Sequence, residues 1–318
     1  MSHRTLHEGS DSGVPLRGLR RGAASSASVT TNSRLKVFVT LADCGSVRGA
    51  AQTLVVTESS VSAAVAALSR EVGTPLLERD GRGVRLTPAG VRYAEYARQI
   101  LGLHAEAIAV ARSESGPEHG LIRLAAVTTA GEHVLPHLLA SFRAEHPGVD
   151  LSLEVRPRAA LWPLLVHHEV DVVVAGRPPD EQGIHTRAIT PNTLVVVGAP
   201  GLAASFDPQR ATWLQREPGS GTRATCQGVL AGLEVDPPQL TLGSHGATVA
   251  AAVAGLGVTL VSEQAVAAHL RAGELAVLPV PGTPLERPWH LVSGPRPTAS
   301  AELLLAHVCR RPEWQRSP

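Results

Sequence analysis

Aromatic side chains are scarce: phenylalanine, tryptophan and tyrosine together make up 3% of the 318 residues. Holding single-stranded nucleic acid by stacking bases on exposed rings needs more of them, so that mode is disfavoured while duplex binding stays open. Cysteine is scarcer still. Cys44, Cys226 and Cys309 are odd in number, far apart and without a C-x-x-C spacing, which argues against a disulfide framework and a zinc site and suits a reducing compartment. Charge of one sign is also missing. A formal net charge of +1 neither requires nor forbids a polyanionic partner, because a small basic module is diluted by a neutral one. No stretch approaches the roughly 18 apolar residues of a membrane span, so no membrane partner is expected. Residues 1–32 are rich in Ser, Gly and Arg and lack the apolar segment of a secretory signal. Arg20-Arg21 has the form of a twin-arginine signal, but Ala23 to Val29 behind it is too polar to serve. This part reads as a disordered leader, and the chain as cytoplasmic.

What is present is core material. Ala, Val and Leu are abundant, and the length exceeds one ordinary core, so two or three domains are expected. Over residues 33–90 the pattern is short helices followed by a hairpin. Leu35, Phe38, Val39 and Ala42 recur at helical spacing until Gly45 stops them. Ser46 caps a second helix with Ala50, Ala51 and Leu54 inward, and Thr57 caps a third with Val61, Val65 and Leu68 inward. Joined at Val55-Val56, these two have the form of a helix-turn-helix. Leu76 to Thr87, with Asp80-Gly81-Arg82-Gly83 at its centre, has the turn chemistry of a wing.

Pro88 opens a long helix whose face Tyr93, Ala97, Ile100, His104, Ala107 and Ala111 needs a second chain to cover it; residues 91–115 therefore read as a linker and dimerisation element. The Ser-Gly-Pro-rich stretch Ser113 to Pro117 breaks it. Beyond Gly120, strand-like and helix-like runs alternate, as in an α/β domain with mainly parallel pairing. Strands are expected at Leu121–Val127, Asp150–Val155, Val170–Ala175, Thr193–Gly198, Val258–Val261 and Ala276–Val280. Helices are expected at Gly131–His146, Gly221–Leu233 and Gly246–Ala254. The expected architecture is mixed: an all-α winged helix-turn-helix (33–90), a linker helix, then an α/β domain (119–297) that the family resemblance given below implies to be a two-lobed effector domain, with a C-terminal helix and tail over 298–318. Lobe I would take 119–190 and 282–297, lobe II 191–281, with crossings near Thr190-Pro191 and Pro281-Thr283.

Candidate DNA contacts are Thr57, Glu58, Ser59, Ser60, Ser62 and Ala63 on the third helix, whose small side chains would let it approach a groove closely. Arg48 and the wing-tip Arg82 would neutralise phosphates. Each has a plainer reading, capping for Thr57 to Ser59 and a solvated surface for the arginines. In the second half, Thr128 and Thr129 precede one helix and Ser220, Thr222 and Arg223 open another. Hydroxyls, helix N-terminal amides and a guanidinium together suit a carboxylate, phosphate or sulfate. His245 starts a third helix near the same place. Routine capping again competes. His133 and His137 stand at i, i+4 without the glutamate of a metalloprotease motif, so neither a metal nor a cofactor is expected.

The run GSVRGAAQTLVVTESSVSAAVAALSREVGTPLLERDGRGVRLTPAG, Gly45 to Gly90, resembles the DNA-binding region of LysR-type transcriptional regulators. The shared features are the GS-x-x-x-AA start, Val61-Ser62, the G-x-PL-x-x-R segment ending at Arg79, and LT-x-AG over Leu86 to Gly90. The similarity continues in RLAAVTTAGEHVLPHLLASFRAEHPGVDL, REPGSGTR and AVAGLGVTL, and REPGSGTR is similar to the branch that includes Calvin-cycle and sulfur-assimilation regulators. The resemblance implies a periplasmic-binding-protein-like sensor, double-stranded DNA and a small anionic metabolite as partners, contacts to that metabolite at the positions above, and a homodimer or homotetramer. The family often carries Gln, Pro and Arg where this chain has Glu58, Ser59 and Ala63, so its base contacts do not transfer directly. Two rivals remain: an extracytoplasmic solute-binding protein, opposed by the missing signal sequence, and an α/β enzyme. For the latter there is no G-x-S-x-G elbow, no phosphate loop and no nucleophile with a locatable base.

Overall fold

The computed structural model describes residues 24–81, 83–113, 116–180 and 183–317, in two compact units, one ending at Ala97 and the other beginning at Arg98. In the first unit, α1 (Ala24–Cys44) reaches back into the segment read as a leader. It ends where Gly45 takes a φ of 64°. Then follow α2 (Val47–Leu54), α3 (Glu58–Val72), β1 (Leu77–Asp80) and β2 (Gly83–Leu86). Ser46 and Thr57 both cap, accepting from the backbone N–H of Gly49 and Ser60, and Gly73 closes α3 with a left-handed φ of 74°. Phe38, Leu41, Ala50, Val61, Val65, Leu68 and Leu76 form the buried interior. The axes of α2 and α3 meet at 108°, within the range of a helix-turn-helix. Their joint is unusual, because Val55 occupies the left-handed region with φ 55° and ψ 47°, a conformation that β-branched residues rarely adopt.

α4 (Pro88–Ser113) starts from a cap at Thr87, whose hydroxyl accepts from Gly90 N–H at 2.9 Å and donates to Pro75 C=O at 2.8 Å. A Cβ at Gly90 would stand 2.0 Å from the Leu76 carbonyl oxygen, so only glycine lets the helix backbone lie against the strand that enters the wing. Within the first unit Ala94 and Ala97 are buried and Tyr93 meets Phe38 edge-on at 5.7 Å. The apolar face of α4 that stays exposed is therefore not the one expected. It is Tyr96, Ile100, Leu103, Ala107 and Val110, at alternating spacings of four and three. Of the expected set only Ile100, His104, Ala107 and Ala111 are exposed.

The second unit holds two lobes. Lobe I comprises β3 (Leu121–Ala126), α5 (Thr128–His133), α6 (Leu135–Glu145), β4 (Asp150–Val155), α7 (Arg158–Val166), β5 (Val172–Ala175) and β6 (His185–Thr190). Lobe II comprises β7 (Thr193–Gly198), β8 (Trp213–Gln215), α8 (Gly221–Gly232), β9 (Gln239–Thr241), α9 (His245–Val253), β10 (Thr259–Ser262), α10 (Glu263–Arg271), β11 (Ala276–Val277) and β12 (Leu285–Glu286). The chain then returns to lobe I as β13 (Trp289–Ser293), α11 (Ala299–Cys309) and β14 (Gln315–Arg316). The lobe I sheet has the order β14-β6-β13-β5-β3-β4. Its core joins Leu124, Leu138, Phe142, Val172 and Leu291 with Ala301, Leu304 and Val308 of α11, which is thus part of that lobe. Lobe II packs Trp213, Cys226, Leu230, Val258 and Leu278 around β7.

Three sequence expectations are corrected. Pairing is not mainly parallel: among the described residues only β3–β4, β3–β5 and β8–β9 are parallel ladders, while β13 lies antiparallel between β5 and β6 and β7 runs against β10, β11 and β12. The reason is the crossing. The strand that has just changed lobe runs against the others and inserts among them. Second, lobe II extends to Glu286, because β12 still pairs with β7, so the return crossing falls at Arg287-Pro288 rather than Pro281-Thr283. The two crossings are stitched together there, Arg287 N–H donating to Asn192 C=O and Asn192 Nδ2 to Arg287 C=O, both at 2.8 Å. Third, the helix expected from Gly131 is two helices meeting at Val134, one residue ahead of Leu135-Pro136. A proline at that point cannot donate to the preceding turn.

Candidate functional site

On the first unit, Thr57, Glu58, Ser59, Ser60, Ser62, Ala63 and Ala66 are all exposed on one side of α3, as is Arg48 on α2. The pattern of Val61, Val65 and Leu68 facing inward leaves those positions no other side. The Thr57 hydroxyl is 2.9 Å from Ser59 Oγ and 2.8 Å from Ser60 Oγ, so these three form a capping cluster as well as the tip of the helix. Arg34 pairs with Glu71 at 3.2 Å and Arg85 with Glu78 at 3.1 Å. Arg48 and Arg79 have no ion pair among the described residues, and Arg82 lies outside the described residues.

In the second unit a narrow cleft, with ≈ 20 Å³ of space for a water-sized guest, runs between the lobes. From lobe I come Val127, Thr128, Thr129, Arg156, Pro157, Arg158 and Gly176; from lobe II come Arg216, Glu217, Ser220, Gly221 and Thr222; Arg287 and Trp289 come from the return crossing and β13. Thr128, Thr129, Ser220 and Thr222 thus lie together as the sequence suggested. Arg223 does not join them. Its guanidinium donates to Arg216 C=O at 2.8 Å and to Thr241 Oγ1 at 3.1 Å, tying α8 to β8 and β9. His245 is buried beside the cleft, outside its lining, with its ring edge-on to His133 at 5.5 Å. Burial, then the positive Arg216 and the neighbouring His133, hold its pKa down to about 4, so at neutral pH it is an uncharged ring.

The cleft's charge is carried by residues that the sequence did not single out. Four arginines, Arg156, Arg158, Arg216 and Arg287, face one carboxylate in the lining, Glu217. Arg216 grips that carboxylate through two hydrogen bonds of 2.7 Å and reaches Thr128 Oγ1 at 3.5 Å. Burial alone would raise the Glu217 pKa, but the bonds from Arg216 and its own backbone, with that charge, bring it below the ordinary value. Arg156 pairs with Glu154, and Arg158 donates to Arg177 C=O at 2.6 Å while its guanidinium stands 5.7 Å over Trp162. Arg287 has no hydrogen bond to its guanidinium among the described residues. Burial and the neighbouring Arg158 both lower its pKa, and it packs so closely on the first residue of α8 that a Cβ at Gly221 would lie 2.5 Å from Nη2. A cation crowded by a second cation at the positive end of a helix is missing a counter-charge. Trp289 Nε1, buried in the same lining, has no hydrogen-bond acceptor among the described residues.

One serine–histidine–carboxylate series does occur elsewhere. Ser141 Oγ is 2.9 Å from His307 Nε2, and His307 Nδ1 is 3.2 Å from Glu145. The Ser141 hydroxyl, however, donates to Leu138 C=O at 2.8 Å and accepts from Arg311. With its proton committed, it cannot pass one to the histidine as a nucleophile must, and the series serves to fasten α11 to α6.

Residues 33–91 match the family model described as bacterial regulatory helix-turn-helix protein, lysR family, and residues 115–311 match the LysR substrate binding domain. The chain belongs to the LysR family. It is a LysR-type DNA-binding transcriptional regulator, with a helical DNA-binding unit ahead of an α/β effector unit. Among LysR relatives it is 35% identical to the HTH-type transcriptional regulator CfxR of Cupriavidus necator, over 87% of this chain and 90% of that one. It is 31% identical to the RuBisCO operon transcriptional regulator of Acidithiobacillus ferrooxidans, over 87% and 94%. The LysR fold is seen again in two solved structures. Full-length OxyR from Pseudomonas aeruginosa superposes with a TM-score of 0.63 at 20% identity, covering 90% of this chain and 98% of that one. CbnR, a LysR family transcriptional regulator, gives 0.63 at 22% identity, covering 88% and 98%. No single helix among the described residues is long and apolar enough to cross a membrane.

Proposed function

We propose that this regulator senses a small organic anion carrying two or more negative charges, bound between its lobes, and that the ligand changes its binding to, or bending of, double-stranded DNA. The observation that carries the reading is Arg287. It is a cation without a bonded partner among the described residues, held at the start of α8 beside Arg158 in a lining where four arginines meet one already-paired carboxylate. A phosphate or carboxylate admitted there as the lobes part would accept from Arg287 and from the amides that open α8. Because Arg287 sits on the crossing joined to Asn192, pulling it toward an anion bears directly on the hinge. A coupling of about 1 to 3 kcal/mol suffices to alter DNA occupancy usefully.

The DNA contacts in this reading are the exposed Thr57, Glu58, Ser59, Ser60, Ser62 and Ala63 of α3, with Arg48 and Arg82 on phosphates. The exposed stripe of α4 has the 3.5-residue repeat of a two-helix seam, so a second copy of the chain covers it and the working form is a cytoplasmic homodimer or homotetramer. Its relatives' names as regulators, and the committed proton of Ser141, support a sensor rather than an enzyme.

The test is binding of the full chain to its own upstream intergenic DNA at several salt concentrations, with and without chloride, acetate, inorganic phosphate and pyrophosphate. Selective, salt-sensitive DNA binding with a footprint that shifts for the multivalent anions alone is the expected result. Equal response to acetate and pyrophosphate would overturn the ligand reading while leaving the DNA-binding role in place.

A further inference from the structure

We propose that Glu132, His133 and His245 form a binding site for a divalent transition-metal ion of the zinc type, and that this ion ties lobe I to lobe II. The ligand atoms of the three side chains all lie within 4.8 Å of one another. Glu132 and His133 close α5 in lobe I, whereas His245 opens α9 in lobe II. Two imidazole nitrogens and one carboxylate oxygen form a donor set that zinc accepts, leaving a fourth tetrahedral position for water or an anion.

The plainer account is an edge-on pair of rings, and one feature tells against it. His245 is 5% exposed and its ring nitrogens make no hydrogen bond among the described residues, yet neither nitrogen is among the polar atoms sealed from solvent, so the ring presents an open donor atom to a ligand. His133 offers only a contact of 3.9 Å to Glu132, and both of those side chains are exposed and free to draw in. Zinc bonds of about 2 Å require ligand atoms closer than the present spread, and rotation of Glu132 and His133 toward the fixed His245 supplies that movement. The nearby positive charge does not forbid a cation, because Arg216 is held by Glu217 through two bonds of 2.7 Å. The residue four positions along, His137, is not part of the cluster; the partner of His133 comes from the other lobe, 112 residues away, where sequence spacing gives no signal. The site stands whether or not the arginine cleft takes an anion.

The experiment uses the full chain, stripped of metal with a chelator and desalted. Zn²⁺ is titrated calorimetrically, and Co²⁺ by its visible absorption, which intensifies in tetrahedral coordination. Expected are one Zn²⁺ per chain, a rise in Tm on adding it, and affinity weakened at least about tenfold in His133→Ala and in His245→Asn, with His137→Ala unchanged. His133 is exposed, so its variant reports even if the buried His245→Asn fails to fold. Absence of Zn²⁺ binding, or binding that survives undiminished in His133→Ala, overturns the proposal and assigns any captured metal to other surface histidines.

Discussion

Replacing Arg287 by methionine should make the protein more stable and a worse sensor. The guanidinium is half-buried, has no hydrogen-bond partner among the described residues, shares its surroundings with Arg158 and lies against the first residue of α8. Exchanging a fully buried ionic group for an apolar one of similar volume gains about 1 to 4 kcal/mol. Arg287 keeps part of its hydration, so a gain of about 1 kcal/mol is expected. The backbone bonds between residue 287 and Asn192 do not involve the side chain and persist. Against this, each hydrogen bond to a charged group is worth about 1.5 to 3 kcal/mol, so affinity for pyrophosphate should fall about 10- to 150-fold. Stability is read from urea unfolding by tryptophan fluorescence in low-salt chloride buffer. Affinity is read from the same fluorescence, since Trp289 lines the cleft. Added pyrophosphate should raise the midpoint of the parent and not that of the variant. A variant destabilised by more than about 1 kcal/mol, where the burial argument demands the opposite sign, would refute the reasoning; so would unchanged anion affinity.

Four further outcomes are expected. Val55→Asn should stabilise the DNA-binding unit by about 0.5 to 1 kcal/mol in chemical denaturation, because a left-handed β-branched residue is relieved at a side chain that is 90% exposed and packs on nothing. Gly90→Ala should cost about 2 to 3 kcal/mol and weaken DNA binding with it, since the new methyl meets a backbone oxygen that cannot rotate away. Arg48→Ala should lower DNA affinity alike for all sequences and reduce the salt slope by about 0.9, the share of one phosphate contact. Burial raises the Cys226 thiol to about 11, so at pH 8 the native protein should be alkylated by iodoacetamide at the exposed Cys44 and at Cys226 only after unfolding, which peptide mapping would show.

Local chemistry made the first unit readable. Ser46, Thr57, Gly45 and Gly73 announce helix ends by the groups they supply to a few neighbouring peptides, and the inward spacing of Val61, Val65 and Leu68 leaves the exposed face of α3 no freedom. Strand direction in the second unit was not readable in that way. TLVVVG and VVVA are continuous apolar runs that fit a parallel or an antiparallel neighbour equally well. The mostly polar β6 and the three-residue β9 carry little period-two signal, and β13, WHLVS, is buried at four of its five positions and so does not alternate either.

The cleft divides along the same line. Thr128, Thr129, Ser220 and Thr222 could be found because hydroxyls at helix starts have a local purpose, whether capping or ligand contact. Arg158 and Arg287 sit 129 positions apart and become neighbours only through the return crossing, so nothing within a window of sequence marks either one. Arg223 misled for the complementary reason. As the arginine nearest to a glycine-rich turn it looks available, but Arg216 C=O, seven positions back, and Thr241 of β9, 18 positions on, already satisfy it within the same lobe. A charge that its local surroundings can satisfy tends to be structural, and a charge brought from far along the chain to a place where nothing satisfies it is the better candidate for binding. By that criterion Arg287 outranks every residue that the sequence nominated in the cleft, and its variant is the measurement on which the ligand reading rests.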